Sequence, residues 1–184
     1  MRPIEHLYVG HRRDPDAIAV AGPGGPLTYA ELVSAVEALA AALQSLDAEH
    51  GSRVGICARN TVEHLLALLA TYAAGKVWVP LNPTNGRADL DRMIGATRPS
   101  LIIADESSLD RFSPTDAPVV LAKTEAGVGS DRHVPTVRGL IDEWVVSTGD
   151  QGFLMEDPLD IQRGYGGPAS APGAAKGKKK AGEE

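Results

Sequence analysis

The segment between residues 27 and 83 constrains the fold most, because runs with helical and strand-like apolar spacing alternate along it. Thr28 opens a Thr-x-x-Glu capping box, which predicts the start of a helix. Arg53–Ala58 is apolar without alternation, which is typical of a parallel strand covered on both faces. A second helix is expected from Asn60 and a second strand at Val77–Val79. Strand, helix and strand in this order predict a βαβ unit.

Helix-like and strand-like segments also alternate in the rest of the chain. The expected fold class is therefore α/β, with a mostly parallel sheet and flanking helices. Met1–Asp16 is polar and is expected to be irregular. The other expected elements are a small hairpin of Ile18–Ala21 and Leu27-Thr28, a helix from Thr84 or Asn85 that Pro99 ends, strands at Leu101–Ala104 and Pro118–Ala122, and a last helix capped by Thr136.

Composition narrows the class of protein. Apolar residues make up 43% and charged residues 23%, a globular profile. The net charge of −6 argues against nucleic acid or an anionic membrane as a partner. A single cysteine, Cys57, excludes an intrachain disulfide and thiolate metal sites. Neither a membrane-spanning apolar run nor a signal peptide is recognisable, so the expected location is cytoplasmic.

Three regions are predicted along the chain: an N-terminal extension at residues 1–14, an incomplete α/β domain at residues 15–147, and a low-complexity tail at residues 148–184. The tail is rich in Gly, Pro, Ala and Lys and has no apolar periodicity, so it is expected to be flexible. Lys176 and Lys178–Lys180 form a basic cluster in it, for which a solvated tail is favoured over nucleic-acid contact.

Few residues carry a chemical signal. The Gly22–Pro26 cluster favours a turn over a phosphate loop, because its two prolines lack backbone donors and no lysine follows. Cys57 within the first strand is interpreted as a buried structural thiol. His64 is expected to be a solvated or an edge histidine, without a second metal ligand at a suitable spacing.

The acidic pair Asp105-Glu106 follows the third predicted strand, and ligands of open α/β sheets bind at such carboxyl ends. A helix cap or a solvated loop is favoured for the pair, because no partner residue is identifiable. The turn Arg59-Asn60-Thr61 lacks the glycines of a dinucleotide fingerprint, which disfavours an independent nucleotide-binding domain.

One ordered set of motifs resembles the opening of the adenylate-forming acyl-CoA synthetases over about residues 15–150. The set comprises Leu27-Thr28-Tyr29-Ala30-Glu31-Leu32, Arg53-Val54-Gly55-Ile56, Asn60 with Glu63, Ala73-Ala74-Gly75-Lys76-Val77, Val79-Pro80-Leu81-Asn82-Pro83 and Leu101-Ile102-Ile103. The resemblance implies an enzyme that activates a carboxylate with ATP and Mg²⁺ to an acyl-adenylate and then transfers the acyl group to coenzyme A. It also implies a large N-terminal domain and a small mobile C-terminal domain.

The chain departs from this family where the phosphate loop is due, shortly after residue 150. The only candidate is Ser170–Gly177, in which Gly173, Lys176 and Gly177 match the family pattern but the threonines do not. The later family motifs, including the ribose-binding aspartate and the lysine-bearing C-terminal domain, have no counterpart. No catalytic, cofactor-binding or metal-binding residue is therefore assigned, and no cofactor is expected for this chain alone.

Two functions from different classes follow. The first is an N-terminal fragment of an ATP-dependent carboxylate (fatty acid)–CoA ligase that is inactive alone. The alternative is a non-catalytic interaction or dimerisation module derived from the same fold. In both cases the expected partner is a complementing synthetase polypeptide or a second copy of the chain, because part of the apolar helix surface and a sheet edge would otherwise be exposed.

Overall fold

A computed structural model describes residues 3–22, 25–113, 117–121 and 135–148 of the chain. Six helices and six strands lie in these ranges, and the fold is α/β as the sequence predicts. The elements are α1 (Pro3–Arg13), β1 (Ile18–Val20), β2 (Leu27–Thr28), α2 (Tyr29–Leu46), β3 (Arg53–Cys57), α3 (Val62–Ala73), β4 (Val77–Pro80), α4 (Arg87–Thr97), β5 (Leu101–Ala104), α5 (Glu106–Leu109), β6 (Val119–Leu121) and α6 (Val137–Thr148).

The main sheet has four parallel strands in the order β4-β3-β5-β6. Val54 of β3 lies opposite Trp78 of β4 on one side and Leu101 of β5 on the other. The first two strands form a separate antiparallel hairpin. The predicted hairpin, βαβ unit and fourth strand are therefore confirmed, and the fourth strand is parallel to β5.

Two apolar clusters occupy the two faces of the main sheet, as alternation along a strand requires. On one face, Val54, Ile56 and Ile103 pack under α1, α2, α3 and α6. On the other, Cys57 and Ile102 pack with residues of α4 and of the segment that follows α5. Both faces of the central strands are covered, which explains why β3 and β5 read as continuous apolar runs.

Local signals define the ends of the helices. The capping box at α2 is complete: the Glu31 N–H donates to Thr28 Oγ1 at 3.2 Å, and the Thr28 N–H donates to Glu31 Oε2 at 2.8 Å. Gly75 ends α3 with a positive φ of 70°. Its N–H donates to Tyr72 O and the Lys76 N–H donates to Thr71 O, which is the Schellman arrangement.

The structure corrects the expectation for the N-terminal segment. Pro3–Arg13 is helical, where an irregular segment was expected for Met1–Asp16. Ile4, Leu7 and Tyr8 are buried against α2 and α3. Their i, i+3, i+4 spacing is a helical signal, but it covers a single turn, and the charged and imidazole side chains of Glu5, His6 and His11–Arg13 lower the average hydropathy.

Helix boundaries differ from expectation by a few residues. Thr61, and not Asn60, caps α3, since its Oγ1 accepts from the His64 N–H at 3.2 Å. The α4 helix begins at Arg87, after the start expected at Thr84 or Asn85. Asn82 Oδ1 accepts from the N–H and hydroxyl of Thr84, at 2.9 and 2.8 Å, and these bonds hold a turn in place of the first helical turn.

Other expectations are outside the described residues. They concern the structure of most of the 148–184 tail, the Ser170–Gly177 segment and the central part of the Gly22–Pro26 turn. The three domain boundaries remain predictions. Across the described ranges, no helix combines the length and apolarity needed to cross a membrane.

Candidate functional site

The carboxyl edge of the main sheet is the place where a site is expected, because ligands of open α/β folds bind there. Strands β3, β4 and β5 end at this edge at Cys57, Pro80 and Ala104. The segments that follow them carry the polar residues Arg59 and Asp105. The side chains at this edge therefore determine what chemistry the described part of the chain can perform.

Asp105 joins two neighbouring strand ends. Its Oδ2 accepts from the Arg59 backbone N–H at 2.6 Å and lies 3.5 Å from Arg59 Nε. The Asp105 side chain is 8% exposed and the Arg59 side chain 71%. Asp105 stands at the N-cap position of α5, but its side chain makes no cap hydrogen bond. The expectation of a helix-capping or solvated carboxylate is thus wrong for Asp105, whose position is structural.

Cys57 lies at the end of β3 and is fully buried. Burial raises the pKa of its thiol, and the Ser108 hydroxyl and the Arg111 charge oppose this shift without cancelling it. A protonated, inaccessible thiol is a poor nucleophile. The structure thus supports the interpretation of Cys57 as a packing residue.

Arginine side chains fasten the loops of this edge to one another. Arg111 Nη1 donates to Asn85 O at 3.0 Å and also to Pro83 O. Arg87 Nη1 in turn donates to Arg111 O. These guanidinium groups bind backbone carbonyls of the same chain, which fixes the loop after β4 against the segment that follows α5.

His64 closes the turn between β3 and α3. Its Nδ1 lies 2.9 Å from Ala58 O, and the residue is partly exposed, so of the two expected positions His64 takes the one at the edge of the core. The 59–61 turn contains no glycine that would let a phosphate approach its backbone. In the described ranges, no three His, Cys, Asp or Glu side chains are grouped so that they could hold a metal ion.

A second polar cluster lies at the opposite, amino edge of the sheet and was not singled out from the sequence. Lys76 Nζ donates to Asp47 O at 2.6 Å, to Ser52 Oγ at 2.8 Å and to Glu49 O at 3.2 Å. It also forms an ion pair of 3.2 Å with Asp47 Oδ2. Lys76 is 6% exposed, so a buried ammonium ion ties together the segments that enter β3 and β4.

Asp47 completes this cluster by accepting from the Ser100 hydroxyl at 2.5 Å. Burial alone would raise the pKa of Asp47. The hydrogen bonds from Ser100, Ser52, the Glu49 N–H and Lys76 outweigh burial and hold its pKa well below the usual range. The only sequence signal was Lys76 directly after the helix-ending Gly75. The cluster is remote from the carboxyl edge and fully used in internal bonds, so it is structural.

The chain matches a family model described as AMP-binding enzyme over residues 9–158. A curated relative, Malpinin synthetase of Mortierella alpina, is 33% identical over 140 residues, which are 76% of this chain and 2% of that protein. Other curated matches include hybrid PKS-NRPS synthetases. The chain spans only 2% of Malpinin synthetase and 3% of these hybrid synthetases.

Solved structures give the same picture of the fold. A benzoate CoA ligase from Burkholderia xenovorans LB400 matches with a TM-score of 0.64 and 22% identity, over 76% of this chain and 28% of that one. The Klebsiella oxytoca NpsA N-terminal subdomain in complex with 3-hydroxybenzoyl-AMSN matches with a TM-score of 0.57 and 25% identity, over 76% of this chain and 31% of that one.

Proposed function

From the premise that this chain belongs to the AMP-binding enzyme family, we propose that it is the N-terminal part of an ATP-dependent carboxylate-activating enzyme and forms no acyl-adenylate by itself. The observation that supports this proposal most is that the chain matches the family model while its carboxyl edge has no recognisable active site among the described residues. The match extends over most of the chain, while Asp105 and Arg111 at the carboxyl edge bind backbone groups of the chain itself.

The described residues do not fit a triphosphate. The Asp105 carboxylate would repel a triphosphate, Arg111 is occupied by backbone carbonyls of the chain, and the β3–α3 turn lacks the glycines that a phosphate-binding backbone needs. The expectation that this chain alone binds no cofactor therefore stays a prediction with structural support. ATP, Mg²⁺ and coenzyme A are proposed only for an assembly that includes the rest of the family fold.

The proposed reaction of that assembly has two steps. A carboxylate oxygen attacks the α-phosphorus of ATP, and the bond to pyrophosphate breaks. A thiol sulfur then attacks the acyl carbon, and AMP leaves. Described residues of this chain would contribute the scaffold that supports the reaction, and we assign none of them a role in either step.

The acid and the thiol acceptor belong to the same proposal. A fatty acid and coenzyme A are the pair expected from the sequence, and a benzoate CoA ligase is among the structural matches. The hybrid PKS-NRPS synthetases among the relatives favour other acids as well. We therefore propose a carboxylic acid with coenzyme A as acceptor, in a cytoplasmic location, and leave the acid to be identified by assay.

An ATP–pyrophosphate exchange assay tests the proposal. The purified full chain should give no exchange above a no-enzyme blank with fatty, aromatic or amino acids. Adding a polypeptide that carries the rest of the family fold should produce exchange with one class of acid, and the thioester product then identifies the acceptor. Pyrophosphate exchange by the chain alone would contradict the proposal. The proposal would also be contradicted if the chain and the added polypeptide formed a complex that gave no exchange.

A second candidate is a non-catalytic interaction module, and one observation favours it. Several apolar side chains of α3, among them Leu65, Leu68 and Tyr72, are only partly covered by the residues that the structure describes. In that case the chain should bind a synthetase polypeptide without raising exchange activity above that of the partner alone.

A further inference from the structure

Helix α1 is attached to the helices beneath it by side-chain packing. Ile4, Leu7 and Tyr8 are buried against α2 and α3. Among the described residues, no backbone hydrogen bond joins α1 to α2, α3 or a strand. Strands β3 and β5, in contrast, are bonded to neighbours on both sides. Helix α1 can therefore separate at a lower free-energy cost than the sheet can open.

The turn after α1 is held in place independently of the helix. Asp14 Oδ1 accepts from the Asp16 and Ala17 N–H groups, each at 3.2 Å. The Ala30 N–H of α2 donates to Pro15 O at 2.9 Å. Because these bonds fix the turn against the start of α2, a movement of α1 would pivot at Asp14 and leave the β1–β2 hairpin where it is.

The interface between α1 and α2 contains polar atoms that the described residues do not satisfy. Tyr8 is 7% exposed, and its hydroxyl is buried without a hydrogen-bond partner of ordinary geometry. His11 lies three residues further along α1, on the same side, and its Nδ1 is also buried without a described partner. The half-buried Glu37 carboxyl of α2 faces Tyr8. A partly satisfied polar interface of this kind is stabilised less than a fully paired one.

The charge of Glu37 is what makes this interface sensitive to pH. Burial raises the pKa of Glu37 to about 7 from its ordinary value of 4.5, so α1 is held best while the carboxyl is protonated and less well as pH rises through about 7. Besides Tyr8, no titratable side chain of the elements packed on α2 contributes to this shift. Those side chains are Glu5, His6, His11, Arg12 and Arg13 of α1, Glu63, His64 and Tyr72 of α3, and Arg138, Asp142 and Glu143 of α6.

We propose that α1 is a pH-sensitive strap, which opens more readily above neutral pH than below it while the main sheet stays folded. Opening returns the Glu37 carboxylate to water and hydrates the Tyr8 hydroxyl and the His11 imidazole at the same time. It also uncovers the apolar side chains of α2 and α3 on which α1 packs. This inference does not depend on the proposed function.

Amide hydrogen exchange of the full chain at pH 6 and pH 8 tests the proposal. Protection factors of α1 and β3 amides are taken relative to the unfolded chain at the same pH, so that the intrinsic effect of pH on exchange cancels. Glu37→Gln removes the titrating carboxyl. Glu49→Gln is its matched control, because Glu49 is exposed and outside the interface. Leu7→Ala weakens the packing of α1, and His11→Gln removes the other unpaired side chain.

We expect the α1 amides of the wild type to be about tenfold or more less protected than the β3 amides at pH 6. Their protection should fall about tenfold further by pH 8, as pKa values of about 7 in the closed form and 4.5 in the open form imply. Glu37→Gln should abolish this fall, while Glu49→Gln and His11→Gln retain it. Leu7→Ala should lower the protection of α1 by a similar factor at both pH values.

Equal protection of α1 and β3 at both pH values would overturn the proposal, because α1 would then open only with the whole chain. Protection of α1 that is unchanged between pH 6 and pH 8, or a fall that persists in Glu37→Gln, would overturn it as well. The comparison of α1 with β3 in the wild type needs no variant, so it decides even where a variant fails to fold. None of these results bears on pyrophosphate exchange, so failure here is distinct from failure of the proposed activity.

Discussion

Glu37 lies on α2 facing Tyr8 of α1, partly buried and without a cation beside it in the described structure. Burial raises the pKa of Glu37 to about 7, and the Tyr8 hydroxyl opposes this shift without cancelling it. Burial together with the Glu37 charge also raises the pKa of Tyr8. The Tyr8 hydroxyl forms no hydrogen bond of ordinary geometry with any described residue, so the two groups are close without being well paired.

This arrangement predicts a pH dependence of stability. The ordinary pKa of the Glu37 carboxyl is 4.5 and its folded value is about 7, so the folded state binds the extra proton between these values. The free energy of unfolding should therefore fall as pH rises from about 4.5 through 7. Glu37→Gln should remove this component and be more stable than the wild type at pH 8.

Urea unfolding at pH 5 and pH 8 checks the prediction. The difference between Glu37→Gln and the wild type should be larger at pH 8, while Glu31→Gln, which alters an exposed carboxyl of the α2 capping box, should not reproduce that pattern. A difference between Glu37→Gln and the wild type that is the same at both pH values would contradict the raised pKa.

Lys76 gives a second prediction for a single residue. Its ammonium group is buried and bonded to Asp47 and to two backbone carbonyls. Lys76→Met should lower the free energy of unfolding by about 3–5 kcal/mol, because Asp47 then lacks its cation. Arg92→Met removes an exposed ion pair with Asp89 and should cost at most about 1 kcal/mol. Equal costs in chemical denaturation would show that the Lys76 cluster is not a buried ion pair.

At the scale of elements, the start of α2 can be tested separately from its packing. The Thr28 hydroxyl accepts from the first helical turn, and the helix carries the largest share of the core under the sheet. Thr28→Ala should lower the free energy of unfolding by about 1 kcal/mol, whereas Thr28→Ser should restore most of it. Equal losses for both variants would place the effect of Thr28 in its methyl group and not in the cap.

The boundaries of elements are decided by competition between nearby polar groups. The Asn82 side chain accepts a hydrogen bond from Thr84, so α4 begins later in the sequence than expected. The Thr61 side chain caps the first turn of α3, and its neighbour Asn60 does not. Two adjacent cap candidates look alike in sequence. Which one is used depends on the direction from which the preceding strand enters the helix, and the packing of the sheet sets that direction.

For the whole molecule, the rate at which the single cysteine is labelled reports how often the core becomes exposed to solvent. Cys57 lies in the central strand β3 between covered faces, and its thiol has a raised pKa. A thiol reagent should therefore label native protein far more slowly than protein in 6 M guanidinium chloride. Fast labelling of the native chain at neutral pH would show that the second face of the sheet opens readily.

Most of the architecture could be predicted from local patterns. The capping box at Thr28, the apolar runs of β3 and β5, and Gly75 after α3 each depend on contacts within a few residues, so the fold class, the strand sequence and the family resemblance were readable. The α1 helix was missed, because its three buried side chains are recognisable as a stripe only once α2 and α3 supply a surface for them.

The tertiary structure alone decided the roles of the charged residues. Asp105 meets Arg59 across 46 positions of sequence, and Lys76 meets Asp47 across 29. Such pairs form because parallel strands bring distant segments to the same edge, and no local spacing reports them. The sequence by itself therefore determined the family and the scaffold, whereas only the folded chain showed that its buried charges serve structure.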